Sequence, residues 1–91
     1  MKYLVKYTSQ YKKEYKLLSK RGYDLTKLNK IVELLASGAT LPKECRDHPL
    51  LGNFKGAREC HIEGDWLLIY KIFENELILM LSRTGTHSDL F

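Results

Sequence analysis

Long apolar runs are missing from this chain of 91 residues. No stretch approaches the roughly 18 consecutive apolar residues that a membrane span needs. The opening "MKYLVKYTSQ" also lacks the apolar core of a secretory signal. Both absences speak against a membrane protein and lead us to expect a cytoplasmic one. Cysteine is scarce too, with only Cys45 and Cys60, and in a reducing compartment free thiols, not a disulfide framework, are expected. Acids are scarce in the first third. Residues 1–30 hold nine Lys or Arg against Glu14 and Asp24, whereas residues 31–91 hold six against nine acids. Neither a phosphate-binding loop nor a dinucleotide fingerprint occurs, which removes the commonest nucleotide-dependent enzymes.

What is present is an ordinary globular composition, 44% apolar and 29% charged, in a length that suits one domain over residues 1–91. The cationic first third attracts polyanions through backbone phosphates without reading sequence; the alternative is a solvated helix face. "KYLVKY" (2–7) reads as a strand. Thr8 or Ser9 then caps a helix in which Tyr11, Tyr15 and Leu18 share a face, closed by Gly22. Asp24 caps a second helix with Leu25, Leu28, Ile31, Val32 and Leu35 on one side, ended by Gly38. So short a connection predicts an antiparallel helical hairpin. Residues 39–57 carry both prolines and no periodicity, a loop long enough to suggest function. "RECHI", "WLLIYKIF" and "ELILMLS" read as a three-strand meander with turns at Glu63-Gly64-Asp65 and Glu74-Asn75. The expected architecture is β-α-α-β-β-β, an α+β fold with a small, mainly antiparallel sheet and the hairpin packed on one face.

If Gly64-Asp65 is a two-residue turn, Glu63 lies opposite Trp66, His61 opposite Leu68 and Glu59 opposite Tyr70, all on one side. Cys60, Ile62, Leu67 and Ile69 then form the side beneath the helices. The first set mixes acids, an imidazole and aromatics, as a working face would.

The three histidines sit in separate segments, "DHP" at His48, "ECHIEGD" at His61 and "TGTHSD" at His87. Imidazoles titrate near neutrality, so a pair can divide general-base and general-acid work, with Glu59 and Asp65 orienting them or taking protons. Each histidine alone is more often structural. A zinc site from Cys45, His48, Cys60 and His61 is disfavoured, because Cys60 and His61 are adjacent in a strand and point to opposite faces. Metal-free RNA cleavage, needing no cofactor, fits this set of histidines, carboxylates, arginine and aromatics. A base takes the 2′-hydroxyl proton, the oxygen attacks the adjacent phosphate, a cation stabilises the phosphorane, and an acid protonates the leaving oxygen. Arg83 suits the cationic role. Phe91, Tyr70 or Trp66 could stack on an unpaired base.

"DHPLLGNFKGARECHIEGDWLLIYKI" (47–72) followed by "RTGTHSDLF" (83–91) resembles the YafQ branch of the RelE/ParE superfamily of bacterial type II toxin-antitoxin toxins. The resemblance covers essentially the whole chain. It implies a ribosome-dependent mRNA endoribonuclease neutralised by a cognate antitoxin, with operator DNA reached only through that antitoxin. It also implies an active site of His48, Glu59, His61, Asp65, His87 and Phe91 with Arg83 beside them. Glu59 stands where the similar toxins have aspartate. Lys12, Lys13, Lys16, Lys20, Arg21 and Lys55 are the expected contacts to RNA and ribosome. Other members of the superfamily poison DNA gyrase, and a basic nucleic-acid-binding module with structural histidines is the alternative from a different class.

Overall fold

Caps and glycines delimit the helical hairpin. Helix α1 (Ser9–Lys20) starts where the Thr8 hydroxyl accepts the Tyr11 N–H. Helix α2 (Leu25–Ala36) starts where the Asp24 carboxylate accepts the Thr26 N–H. Each helix ends in a Schellman motif: Gly22 and Tyr23 donate to Ser19 and Leu18, and Gly38 and Ala39 donate to Leu35 and Leu34. Gly22 and Gly38 sit at φ of +84° and +80°, where a Cβ would be strained. Sequence and structure agree residue by residue here.

The computed structural model describes residues 1–91. Five strands form one sheet: β1 (Leu4–Tyr7), β2 (His48–Pro49), β3 (Arg58–Glu63), β4 (Trp66–Phe73) and β5 (Ile78–Thr86), in the spatial order β1-β5-β4-β3-β2. Only β1 with β5 is parallel; every other pairing is antiparallel. The expected α+β architecture is therefore the observed one, with three additions. The long loop contributes the two-residue strand β2, flanked by 3-10 turns at Lys43–Cys45 and Gly52–Phe54. Strand β5 extends four residues past "ELILMLS", and the chain closes on a one-turn helix α3 (His87–Leu90). No helix is long and apolar enough to cross a membrane.

The sheet has two unequal cores. Under the hairpin, Tyr11, Leu18, Leu28, Cys60, Leu68 and Leu81 belong to a cluster of 14 buried residues. Side chains such as Leu28 and Leu68, with no exposed surface, each contribute about 1.5–3 kcal/mol. On the other face Ala57, Leu67, Ile69 and Leu90 form a cluster of four, with Leu50 and Phe54 against it. Both cysteines are free, as expected.

The expected faces of β4 need correction. The register pairs Glu59 with Ile69, Cys60 with Leu68 and His61 with Leu67, and it shifts between His61 and Glu63 before Glu63 meets Trp66. The bulge at Ile62 puts one extra residue on β3 and so turns the faces of β4 over relative to an unbroken ladder. Trp66, Leu68 and Tyr70 face the helices, and Leu67 and Ile69 face the other way. Cys60 and Glu59 keep the sides expected of them.

Candidate active site

The side of the sheet away from the helices gathers titratable groups. Glu59 and His61 alternate with Cys60 along β3 and therefore share that face, while β2 sets His48 directly across from Glu59. Glu59 is only 7% exposed. Its Oε1 lies 3.7 Å from His48 Nε2 and 3.8 Å from His61 Nε2. Each imidazole turns its other nitrogen to a backbone carbonyl: His48 Nδ1 is 2.7 Å from the Arg46 oxygen, and His61 Nδ1 is 3.3 Å from the Gly64 oxygen. A carbonyl only accepts, so each ring presents Nδ1–H to its carbonyl and turns Nε2 toward Glu59. No group of three or more His, Cys, Asp or Glu side chains is placed to hold a metal ion.

The tail forms the second part of the site. Thr86 and Asp89 make a capping box, each accepting the other's backbone N–H. The His87 N–H donates to the Asp65 carbonyl, and Arg21 Nη1 meets Asp89 Oδ2 at 2.9 Å. The Thr86 N–H first, then Arg21, holds the Asp89 carboxyl below its usual range. Leu90 is thereby buried on Leu67 and Ile69, which carries His87 and Phe91 to the rim of the same face. There the Phe91 ring sits 5.0 Å from the His87 ring and 5.3 Å from Phe54. It remains 51% exposed. Gly85 permits this fold-back: a Cβ there would stand 3.1 Å from Asp89 Cβ and Oδ2.

The structure thus brings His48, Glu59 and His61 together and sets His87 and Phe91 on the tail, with no hydrogen bond or ion pair between the two groups. Asp65 is exposed and contributes its backbone carbonyl to the tail. Arg83 turns to α1, where Glu14 Oε2 lies 2.9 Å from Nε and 2.7 Å from Nη2. Its Nη1 is left without a partner in the chain. Trp66 and Tyr70, 2% and 1% exposed beneath the helices, are not available to stack on a base; the bulge is the reason. Trp66 instead donates to the Thr84 hydroxyl, and Tyr70 to Asp47. Lys12, Lys13, Lys16, Lys20 and Lys55 are exposed and outside every ion pair, whereas Arg21 is shared with Asp89.

Three acids escaped the sequence reading. Glu14 is buried and also accepts the Thr84 N–H; its position between Tyr11 and Leu18, on the apolar stripe of α1, was the available signal. Asp89 was marked by the T-x-x-D spacing of a capping box. Asp47, which accepts from both Arg58 and Tyr70, had no local signal, because its partners are distant in sequence.

A small α+β domain with an acid–base cluster on its open sheet face and a pinned carboxy-terminal tail is the class these features define. The chain belongs to the family described as bacterial toxin of type II toxin-antitoxin system, YafQ, whose pattern matches residues 3–91. It is 44% identical over 88 residues to the mRNA interferase toxin YafQ of Escherichia coli K12, across 96% of this chain and 94% of that one. The E. coli DinJ-YafQ toxin-antitoxin complex superimposes with a TM-score of 0.88 at 42% identity, covering 100% of this chain and 99% of that one. A metal-bound toxin from Helicobacter pylori superimposes with a TM-score of 0.92, also at 42% identity, covering 98% and 99%.

Proposed function

We propose that this toxin is an mRNA endoribonuclease that acts in the bacterial cytoplasm on ribosome-engaged transcripts and is silenced by a cognate antitoxin. The observation that carries the proposal is the pair of Nε2 atoms facing one buried carboxylate on the open sheet face. Both imidazoles turn Nε2 toward the same carboxylate, which holds the two rings side by side. One ring can serve as base and the other as acid, the division of labour that RNA cleavage by internal attack requires. The family and its E. coli relative, an mRNA interferase by name, support the same reading. The H. pylori neighbour is metal-bound; in the reading proposed for this chain each step of cleavage is assigned to a protein side chain.

A neutral Nε2 of the His48–His61 pair takes the 2′-hydroxyl proton. The freed oxygen attacks the neighbouring phosphorus, and the bond to the 5′-oxygen breaks. An imidazolium, either the other member of the pair or His87, delivers the proton to that leaving oxygen. The products are a 2′,3′-cyclic phosphate and a 5′-hydroxyl. Arg83, fixed by Glu14, offers its free Nη1 to the phosphorane. Phe91 gives an exposed ring for a base to stack on, and Asp65 holds His87 in place through its carbonyl. Exposed lysines of α1 and Lys55 supply the attraction to RNA.

The test is to incubate the purified chain with ribosomes and a defined mRNA and to map the cut ends and their chemistry. Codon-aligned cuts bearing cyclic phosphate are expected, with His48→Ala, His61→Ala and His87→Ala each lowering the rate about 10²- to 10⁴-fold. Intact transcripts with the wild-type chain would overturn the proposal, and broken DNA beside intact transcripts would assign the toxin to gyrase instead.

A further inference from the structure

Across the sheet from Glu59, on the hairpin side, lies a cleft of about 420 Å³ whose aromatic lining the mechanism does not use. Tyr7 of β1, Tyr11 and Tyr15 of α1, Asn29 and Val32 of α2, and Leu81 of β5 line it, with Lys12 and Lys16 at its rim. The Tyr7 and Tyr11 rings stack with centroids 5.7 Å apart and planes 27° from parallel, and Tyr11 and Tyr15 follow at 6.0 Å. Neither lysine is in an ion pair, and no acid lines the cleft. Tyr11 is 97% buried, since only 3% of it is exposed. Its hydroxyl makes no hydrogen bond within the chain, yet no fully buried polar atom lacks a partner, so that hydroxyl keeps some exposed surface in a residue that lines the cleft.

We propose that this cleft binds one unpaired RNA nucleotide, its base continuing the tyrosine stack and its phosphates on Lys12 and Lys16. The volume falls within the ~300–1,000 Å³ typical of small-ligand sites. An aromatic ladder edged by free cations is how single-stranded nucleic acid is held without reading sequence. An acidic protein segment would satisfy the lysines but would leave the ring faces and the Tyr11 hydroxyl unmatched. A nucleobase meets both, because it joins a π face to hydrogen-bonding edges in one plane. Burial first, then Tyr15 and Tyr7, raises the Tyr11 pKa above its usual value, so the hydroxyl is a neutral phenol able to donate. The proposal rests on the reading that this toxin engages RNA, but on none of the side chains assigned to cleavage. RNA threaded through the active site would thus have a second hold on the opposite side of the domain.

The test is fluorescence polarisation with a labelled single-stranded 2′-O-methyl RNA octamer, which offers no 2′-hydroxyl nucleophile, on the isolated toxin. Tyr7→Ala, at a half-exposed position, is expected to weaken binding about 5- to 150-fold, and Tyr7→Phe to retain it. Lys12→Ala/Lys16→Ala should lower the salt slope by about 1.4, roughly 0.7 for each phosphate no longer neutralised. The octamer cannot be cut by internal attack, so a failed cleavage reading leaves this result standing and the reverse. A photo-crosslinking phenylalanine at Tyr7, in reactions with ribosomes and end-labelled mRNA, should mark RNA, and the label tells messenger from ribosomal RNA. Wild-type affinity and salt slope in the Tyr7→Ala and double-lysine variants would overturn the proposal. So would a crosslink that forms only to the antitoxin.

Discussion

Glu59 is the residue on which the proposed chemistry turns, and its setting makes a specific demand. A carboxylate 7% exposed and within 4 Å of two imidazoles serves by its charge. Glu59→Gln preserves shape and removes that charge, so cleavage should fall about 10- to 100-fold, the scale of losing a group that orients a working histidine. Single-turnover rates on ribosomes measure this, and a change under twofold would leave the two histidines without a shared partner. Glu14 makes a different demand, on stability. Its carboxylate holds Arg83 and the Thr84 N–H where α1 crosses β5. Glu14→Ala leaves a guanidinium and an amide unpaired and should destabilise the fold by roughly 2–4 kcal/mol, less than for a fully buried pair because Arg83 is partly solvated. Glu14→Leu/Arg83→Met should unfold at a higher denaturant concentration than Glu14→Ala, since it removes both charges together. If the double variant is the weaker of the two, the ion pair contributes more than its isosteric replacement.

At the scale of elements, the tail helix is held by a few polar contacts over a glycine, which makes it separable from the rest of the fold. Gly85→Ala puts a methyl group 3.1 Å from Asp89 Cβ; the short helix must lift by a few tenths of an ångström, and Phe91 lifts with it. Melting should move by only a few degrees while cleavage falls at least tenfold, a split that a uniformly destabilising change would not produce. Acid should free the tail too. The carboxyl of Asp89 has a lowered folded-state pKa, so its contribution is complete above the unfolded value near 4 and is lost as pH falls through the folded one. Amide exchange at Asp89 and Phe91 should therefore rise in acid before that of β4, and Asp89→Asn should remove the difference. These elements also show what could be read from one-dimensional patterns. Both helices were legible to within a residue because caps and αL glycines are local signals. The face of β4 was not, because the bulge at Ile62 changes a residue count without changing the alternation on either side of it. Strand β2 was hidden for a related reason: two residues carry no period, and His48 pairs with Glu59 only once the intervening chain has folded. His48, Glu59 and His61 could still be picked out by chemistry, whereas the commitment of Arg83 to Glu14 required knowing that α1 crosses β5.

For the whole molecule, the decisive asymmetry is between the two faces of one sheet. The hairpin side buries a cluster of 14 residues and the opposite side a cluster of four, so the face that carries the proposed chemistry rests on the smaller store of apolar contact. Opening of that face should then require less free energy than global unfolding. The segment from Leu50 to Ala57 is tied by the bonds Leu50 N–H to Ala57 O and Ala57 N–H to Phe54 O, and by the packing of Phe54 and Leu50 on the minor cluster. The amides of Leu50, Ala57 and Phe91 should exchange as one group, faster than those of Leu68 and Leu79, which pair across strands beneath the hairpin. Leu90→Ala removes one of only four members of the minor cluster. It should accelerate the first group strongly while leaving the second group limited by global stability, which falls by about 2–3 kcal/mol, the lower part of the range for a buried leucine. Native-state hydrogen exchange read residue by residue checks the order. Equal protection of both groups in the wild-type chain would mean that the two cores unfold as one unit and that the working face has no independent mobility.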